Sequence, residues 1–368
     1  MVAVHPPLAI ESVDVRAVLV PLKRTPVLKS MSPPAWTIIL IDLHMQGGVV
    51  GRSYLQPYLP NSVRYIAPLI HDLVERFKGK PANPVDLFRQ ARQSLWPIGL
   101  EGVTLAAIAG LDMALWDALS KAAQMPLARY LGGSVGPVKA YNSNGLWLVD
   151  PSEVERETEE LIAQGDFTAL KIRLGRDSLA QDLAAIAAAR RAGGASLQLM
   201  ADFSQAHTMD EAIARCRALD GEGLDWMEEP IACDNLSGLA QLRRRLATPI
   251  QVGENFWGPR DLQIALELDA TDFVMPDLMR IGGVTGWMRA AGIAAAKGVP
   301  VSTHLYPEFS AHLMRVTETA HWLEWCDWAD LILAEPFEVR NGLIHIPDRP
   351  GSGVEWNESA IAKYAHRF

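Results

Sequence analysis

Residues 196–255 read SLQLMADFSQAHTMDEAIARCRALDGEGLDWMEEPIACDNLSGLAQLRRRLATPIQVGEN, and three short apolar runs inside this stretch each reach a carboxylate. The runs SLQLMAD, LDWMEEP and TPIQVGEN are separated by segments with helical spacing of apolar residues. Strands alternating with helices imply parallel βαβ units. The same texture continues on both sides, in VKAYNS (138–143), TALKIRL (168–174), ATDFVMPD (270–277), VPVSTHL (299–305) and AHWLE (320–324). A unit of about 25 residues and a count of about eight strands favour a closed TIM-like α/β barrel over an open doubly wound sheet.

Upstream the period changes. SVDVRAVLVPL (12–22) and WTIILIDLHMQGGVVGRSYL (36–55) alternate apolar and polar positions, predicting a small antiparallel sheet with a turn at Gly47-Gly48. KRTPVLKSMSPPA (23–35) between them, rich in proline and basic residues, reads as a mobile loop. VTLAAIAGLDMALWDALSKAA (103–123) sets Ile108, Leu111, Leu115 and Leu119 on one face of a helix, and Leu131-Gly132-Gly133 suits a glycine-capped helix end. The expected division is an α+β domain over residues 1–135, a barrel over 136–330, and a tail, 331–368, packing back on the first domain.

The chain has 368 residues, 49% of them hydrophobic, enough for a large core or two packed domains. Its 34 basic and 43 acidic residues give a net charge of -9, with no basic block longer than Arg243-Arg244-Arg245, which argues against nucleic acid as a partner. Three cysteines, Cys216, Cys233 and Cys326, lack CxxC spacing and read as reduced thiols. The amino terminus lacks a basic segment followed by a long apolar one, and no run approaches the roughly 20 apolar residues of a membrane span. A cytoplasmic protein with no membrane partner is expected.

Lys171, Arg173, Asp202, Glu228, Glu254, Asp277, His304 and Glu324 all fall at or near the carboxyl ends of successive predicted strands, where barrel active sites sit. Asp202, Glu228 and Glu254 recur 26 residues apart (228 − 202 and 254 − 228). Three hard oxygen ligands without histidine or cysteine suit Mg²⁺; the alternative is three carboxylates each paired with a local arginine. His304 faces that cluster, and Asp277 one strand earlier can accept its second N–H, making a general-base dyad. Lys171 and Arg173, two apart on one strand, point the same way, either toward a substrate carboxylate or into an interior salt bridge. Glu324 can donate to a developing enediolate only if protonated; otherwise it pairs with a lysine. Gly282-Gly283 either opens a loop or leads a helix amino terminus that binds an anion.

GENFWGP, MPDLMRIGGVTGW, STHL and TAHWLE, in this order and at this spacing, resemble the mandelate racemase subgroup of the enolase superfamily, and the likeness runs over nearly the whole chain. The resemblance implies an α+β capping domain over a (β/α)7β barrel and Mg²⁺ held by Asp202, Glu228 and Glu254, with Glu229 facing elsewhere. It also implies a His304–Asp277 dyad, a substrate-bonding acid at Glu324, substrate contact at Ser143, and a homo-oligomer, with an octamer among the states it allows. The family's KxK pair matches Lys171 and, with a departure, Arg173. The capping-domain candidates for the distal end of the substrate are Lys23, Arg24 and Tyr54; with Lys29, the first two make their loop basic, which suits a polar or anionic substrate better than a phenyl ring.

Racemisation needs acid and base groups on both faces of a stereocentre, and arginine is protonated at any ordinary pH. Elimination of water needs one base and one acid, both of which His304 can supply. The reading that follows is an acid-sugar dehydratase yielding a 2-keto-3-deoxy acid, with a hydroxyacid racemase or epimerase as the rival enzyme and a non-catalytic metal-binding barrel as the rival outside catalysis.

Overall fold

A computed structural model describes residues 8–27, 32–33 and 35–368. Lys29 lies outside the described residues, as do residues 1–7.

The alternating segments form an antiparallel sheet, β1 (Ile10–Pro21), β2 (Ala35–Met45) and β3 (Val50–Leu55), paired in sequence order. The β2–β3 turn places Gly47 and Gly48 at φ 95° and 87°, a region that only glycine enters at little cost. Four helices follow: α1 (Val63–Phe77), α2 (Pro84–Leu95), α3 (Val103–Ala122) and α4 (Leu127–Tyr130). The single apolar face expected of α3 is instead buriedness on nearly all sides, because α3 is wedged between the sheet and the barrel. Its 20 residues, with mean hydropathy 1.4, are long and apolar enough to cross a membrane, contrary to the expectation that no run is. In the fold, 83% of that window is buried.

The barrel strands are β4 (Pro137–Asn142), β5 (Ala169–Arg173), β6 (Gln198–Asp202), β7 (Trp226–Glu228), β8 (Ile250–Val252) and β9 (Phe273–Val274). The intervening helices are α5 (Pro151–Ala163), α6 (Leu179–Gly193), α7 (Met209–Leu219), α8 (Leu236–Arg243) and α9 (Pro259–Glu267). After β9 come α10 (Leu278–Ile281), α11 (Gly283–Ala296), α12 (Pro307–Met314) and β10 (Leu323–Trp325). Parallel bridges Val274–Val301 and Val301–Ala320, and the parallel pairing of β10 with β4, close the ring. Counting the segment at Val301, eight strands and seven intervening helical connections make a (β/α)7β barrel.

The last segment divides its contacts. Strands β11 (Glu338–Arg340) and β12 (Leu343–His345) form a hairpin whose second strand pairs antiparallel with β4. Helix α13 (Glu358–Tyr364) then returns to β1, where Arg16 binds Glu358 at 2.6 Å.

Two buried aspartates on α3 lock the parts together. Asp117 accepts from the backbone N–H of Arg52 at 2.7 Å and of Ser352 at 2.6 Å, joining β3, α3 and the final segment. Asp112 accepts from Thr285 through its N–H at 2.8 Å and its hydroxyl at 2.5 Å. The amino terminus of α11 is therefore occupied by a carboxyl of this chain, that of Asp112, which burial pushes up to about 7. Gly283, at φ 70°, permits that approach: a Cβ there would stand 2.7 Å from Asp112 Oδ2 and 2.9 Å from the Ala109 carbonyl oxygen.

Candidate active site

Strand β5 alternates so that Lys171 and Arg173 both enter the barrel, and both are buried. Lys171 Nζ lies 2.6 Å from Glu324, 2.8 Å from Glu228 and 3.8 Å from Asp202. Burial opposes its charge, but Glu228 and Glu324 outweigh burial and raise it well above the usual lysine value. Glu324 is held well below the carboxylate range, because Lys171 and His304 offset the cost of its burial. Glu324 is thus ionised and lysine-paired, and its other oxygen accepts from the Leu305 N–H at 2.9 Å.

Arg173 is held by its terminal nitrogens, while its Nε, 3.5 Å from Asp202, makes no hydrogen bond. Its guanidinium donates to the carbonyls of Ser143 and Gly145, each at 3.1 Å, and to the Ser143 hydroxyl at 2.8 Å, while lying 3.9 Å from the Trp147 ring centroid. Ser143 therefore reaches the site through Arg173.

The three carboxylates expected to share a metal sit on neighbouring strand ends. Asp202 and Glu228 are register partners in β6 and β7, and Glu254 follows β8. Burial, reinforced by Asp202 and Glu254 and opposed by Lys171, pushes the Glu228 carboxyl up to about 8. Crowded carboxylates with one lysine between them lack positive charge, and all-oxygen donors at a barrel mouth fit a hard divalent cation. Among the described residues no three such side chains form a finished cage, since Lys171 draws Glu228 to itself and Glu254 leans toward His304.

His304 donates from Nδ1 to Asp277 at 2.8 Å, and its Nε2 stands 3.5 Å from Glu254. Parallel pairing of Asp277 with His304 sets this geometry. Burial disfavours the imidazolium, yet Glu254, the Asp277 bond and Glu324 push it up to about 9. Asp277 also caps α10 through the Arg280 N–H at 3.0 Å, which restrains its rotation.

Several residues escaped sequence reasoning. Glu229, expected to face away, is buried behind the cluster; one oxygen accepts from Asn255 at 2.7 Å and the other has no partner. Asn255 also approaches Glu254 at 3.3 Å and accepts from Arg280 at 2.7 Å, making a brace behind that carboxylate. An aromatic chain, Trp147–Trp328–Trp36–Tyr58, with centroid spacings of 6.2, 4.3 and 5.1 Å, links Arg173 to Arg280, which lies 5.0 Å from Tyr58. Trp36 and Tyr58 come from the first domain, so only the docked fold brings this wall together. Adjacent E-E and isolated tryptophans carry no periodic signal that marks them.

The capping-domain candidates make their described bonds elsewhere. Lys23 pairs with Asp327 at 2.5 Å, Arg24 with Glu157 at 3.0 Å and Glu160 at 2.7 Å, and fully buried Tyr54 donates to Glu308. Their charge and hydroxyl are neutralised internally. Two further histidines make their contacts within the fold: His312 accepts from the Ala128 N–H at 3.0 Å and donates to the Ser352 carbonyl at 3.1 Å, and His321 lies against Phe273.

Left-handed backbone is concentrated at the mouth. Leu146, Ser204, Gln205, Glu229, Leu305 and Tyr306, none of them glycine, all have positive φ near strand ends that carry the charged groups.

This barrel-and-cap arrangement matches two family profiles, one described as mandelate racemase/muconate lactonizing enzyme, N-terminal domain, over residues 12–132, the other as enolase C-terminal domain-like, over residues 153–360. The chain belongs to the mandelate racemase/muconate lactonizing enzyme family. An enolase from an alpha proteobacterium, BAL199, crystallised with magnesium, is 49% identical and superposes with a TM-score of 0.96, covering 98% of this chain and 100% of that one. An enolase from Bradyrhizobium in complex with magnesium and mandelic acid is 40% identical, with TM-score 0.94 and coverage of 98% and 99%. The L-talarate/galactarate dehydratase of Salmonella typhimurium is 30% identical over 292 residues, which are 78% of this chain and 73% of that protein. Arg173 stands where the resemblance read from the sequence leads one to expect a second lysine on β5.

Proposed function

We propose that this chain is a Mg²⁺-dependent enzyme that removes the α-proton of a hydroxycarboxylate and eliminates water from an acid sugar to give a 2-keto-3-deoxy acid. The observation that carries the choice is the pinning of Arg173 by two carbonyls, a hydroxyl and the Trp147 face. An arginine held this way is no base, so the site offers His304 alone. The likeness to a talarate/galactarate dehydratase supports the same chemistry.

Asp202, Glu228 and Glu254 would hold Mg²⁺, with Asn255 and Glu229 bracing Glu254 from behind. When bound, the ion supplies Lewis-acid polarisation of the substrate carboxylate. His304, with its Nδ1–H directed to Asp277, would take the α-proton at Nε2 once the Glu254 charge that keeps the ring protonated is engaged by the ion. The C–H electron pair becomes the enediolate, whose negative charge Lys171 opposes. Collapse of the enediolate breaks the C3–O bond, and the proton on His304 Nε2 leaves with that oxygen as water. The resulting enol gains a proton at C3, loses the one on its 2-hydroxyl and becomes the keto acid.

A racemase reading draws support from the aromatic wall, which suits an apolar substituent, and from the mandelic acid held by the Bradyrhizobium relative. Incubation with Mg²⁺ in D₂O against mono- and di-acid sugars and mandelate separates the two. Keto acid from a sugar acid is the expected result; α-deuterium with inversion and no keto acid would replace the dehydratase by the racemase. We further place the enzyme in the cytoplasm, with Cys216, Cys233 and Cys326 as free thiols. Our division of the chain is a cap over residues 1–135, a barrel over 136–330 and a returning segment over 331–368.

A further inference from the structure

Two of the sequence motifs, GENFWGP (253–259) and MPDLMRIGGVTGW (275–287), meet in space at one side chain that takes no step of its own in the reaction, Arg280. Its Nη1 donates to the Glu254 carbonyl oxygen at 2.8 Å and to Asn255 Oδ1 at 2.7 Å. Its own carbonyl accepts from the Gly258 N–H at 3.0 Å, and its backbone N–H donates to Asp277 at 3.0 Å. The turn that follows β8 is thus fastened to α10 at Glu254, Asn255 and Gly258, all by the same residue. The rings of Tyr58 and Trp257, with centroids 5.0 and 5.8 Å from the guanidinium carbon, flank it.

A guanidinium carries donors only, so the Asn255 amide must present its oxygen to Arg280 and its NH₂ group to the opposite side. On that side the NH₂ donates to Glu229 Oε2 at 2.7 Å and approaches Glu254 Oε1 at 3.3 Å. Turned over, the same amide would set its oxygen against two carboxylates. Arg280 therefore fixes the polarity of Asn255, and Asn255 engages one oxygen of each carboxylate. The other Glu254 oxygen, Oε2, is the one that faces His304, at 3.5 Å from its Nε2.

We propose that Arg280 is a positioning residue for the metal site, acting through Asn255 to hold Glu254 with Oε1 tied back and Oε2 presented to a divalent cation. The inference rests on the reading of Asp202, Glu228 and Glu254 as the Mg²⁺ ligands, and it adds a residue that touches neither ion nor substrate. Outer partners that orient a metal's ligands are worth about 10–100-fold in metal affinity. Lysine in this place would keep the charge but lose the planar, pre-organised donors that set the amide.

The test is calorimetric titration with Mg²⁺ of the full chain and of Arg280→Met, Arg280→Lys, Asn255→Leu and the Arg280→Met/Asn255→Leu double variant, with metal-free urea unfolding as the check on folding. The dissociation constant should rise about 10–100-fold in Arg280→Met and in Asn255→Leu, and by less in Arg280→Lys. Because one residue acts through the other, the double variant should lose far less than the product of the two single losses. An Arg280→Met dissociation constant within two-fold of the parent overturns the proposal, and so does a double variant whose loss equals that product. A lowered metal-free unfolding midpoint with unchanged Mg²⁺ affinity would make Arg280 a purely structural residue and also overturns it. Should Arg280→Met fail to fold, Arg280→Lys decides alone: affinity weakened at least two-fold supports the proposal, unchanged affinity overturns it. A natural chain that binds no Mg²⁺ overturns the ligand reading together with this inference, an outcome distinct from a natural chain and a variant that bind the ion equally well.

Discussion

At the scale of single residues the site is a balance between buried charges, and His304 is its pivot. Replacing His304 by Asn keeps the ring's volume roughly and one donor for Asp277 but removes the proton acceptor. Turnover is expected to fall by on the order of 10²–10⁴-fold, the usual worth of a positioned base, with the melting temperature near that of the parent. Unchanged turnover would remove His304 from the mechanism. Its folded value, about 9, is above that of free histidine, so its stabilising contribution is full below pH 6.5 and is lost as pH rises through 9. Glu254 is the leading cause that raises it, so Mg²⁺ binding at Glu254 should lower the value, a change that NMR titration of the imidazole detects. Arg173→Lys exchanges an obligate cation for an amine that can lose its proton. That variant should show α-deuterium exchange on both faces with slower elimination, and single-faced exchange would sink the reasoning about the missing second base. That Asp202, Glu228, Glu254, Asp277 and His304 lie at neighbouring strand ends was legible, because strand ends recur at near-even spacing. The ionised state of Glu324 and the pinned state of Arg173 were not, since both depend on partners about 150 and 30 residues away.

Among elements, the decisive contact is α3 against the start of α11. Gly283→Ala places a Cβ 2.7 Å from Asp112 Oδ2 in a left-handed residue, so strain and overpacking act together. A loss of about 2–4 kcal/mol is expected in chemical denaturation. A variant as stable as the parent would mean that α11 can shift without loosening α3. The sequence left Gly282-Gly283 as either a loop opening or an anion-binding helix start; a carboxyl, that of Asp112, is bonded there, but it lies far upstream and no local pattern connects the two. Similarly, α3 reads as a one-faced helix because periodicity reports only the strongest apolar stripe; another buried side carries small residues, Gly110, Ala114 and Ala118, that pack against β2 and β3.

For the molecule as a whole, acid stability and metal dependence follow from what is buried. His312 joins α12 to α4 and to the final segment, and burial lowers it to about 4. Its folded value is below that of the unfolded chain, so the folded state holds fewer protons; the contribution is complete above pH 6.5 and is lost as pH falls toward 4. His312→Gln should flatten the stability profile by about 2–3 kcal/mol across that window, and an unchanged slope in acid denaturation would contradict it. Mg²⁺ at a hundred-fold excess over its dissociation constant should stabilise the fold by about 2.7 kcal/mol, reversed by chelation, and a chelator-insensitive melting curve would count against the carboxylate site. The sequence by itself determined the barrel and the charged rim at its strand exits, because strand-helix alternation and the charges at strand ends are local and periodic. Only the tertiary structure decided that Lys23 and Arg24 are paired internally, that an aromatic wall joins two domains, and that Arg173 is held in place. Those outcomes depend on which distant partner each side chain meets, a property of packing that no spacing along the chain encodes.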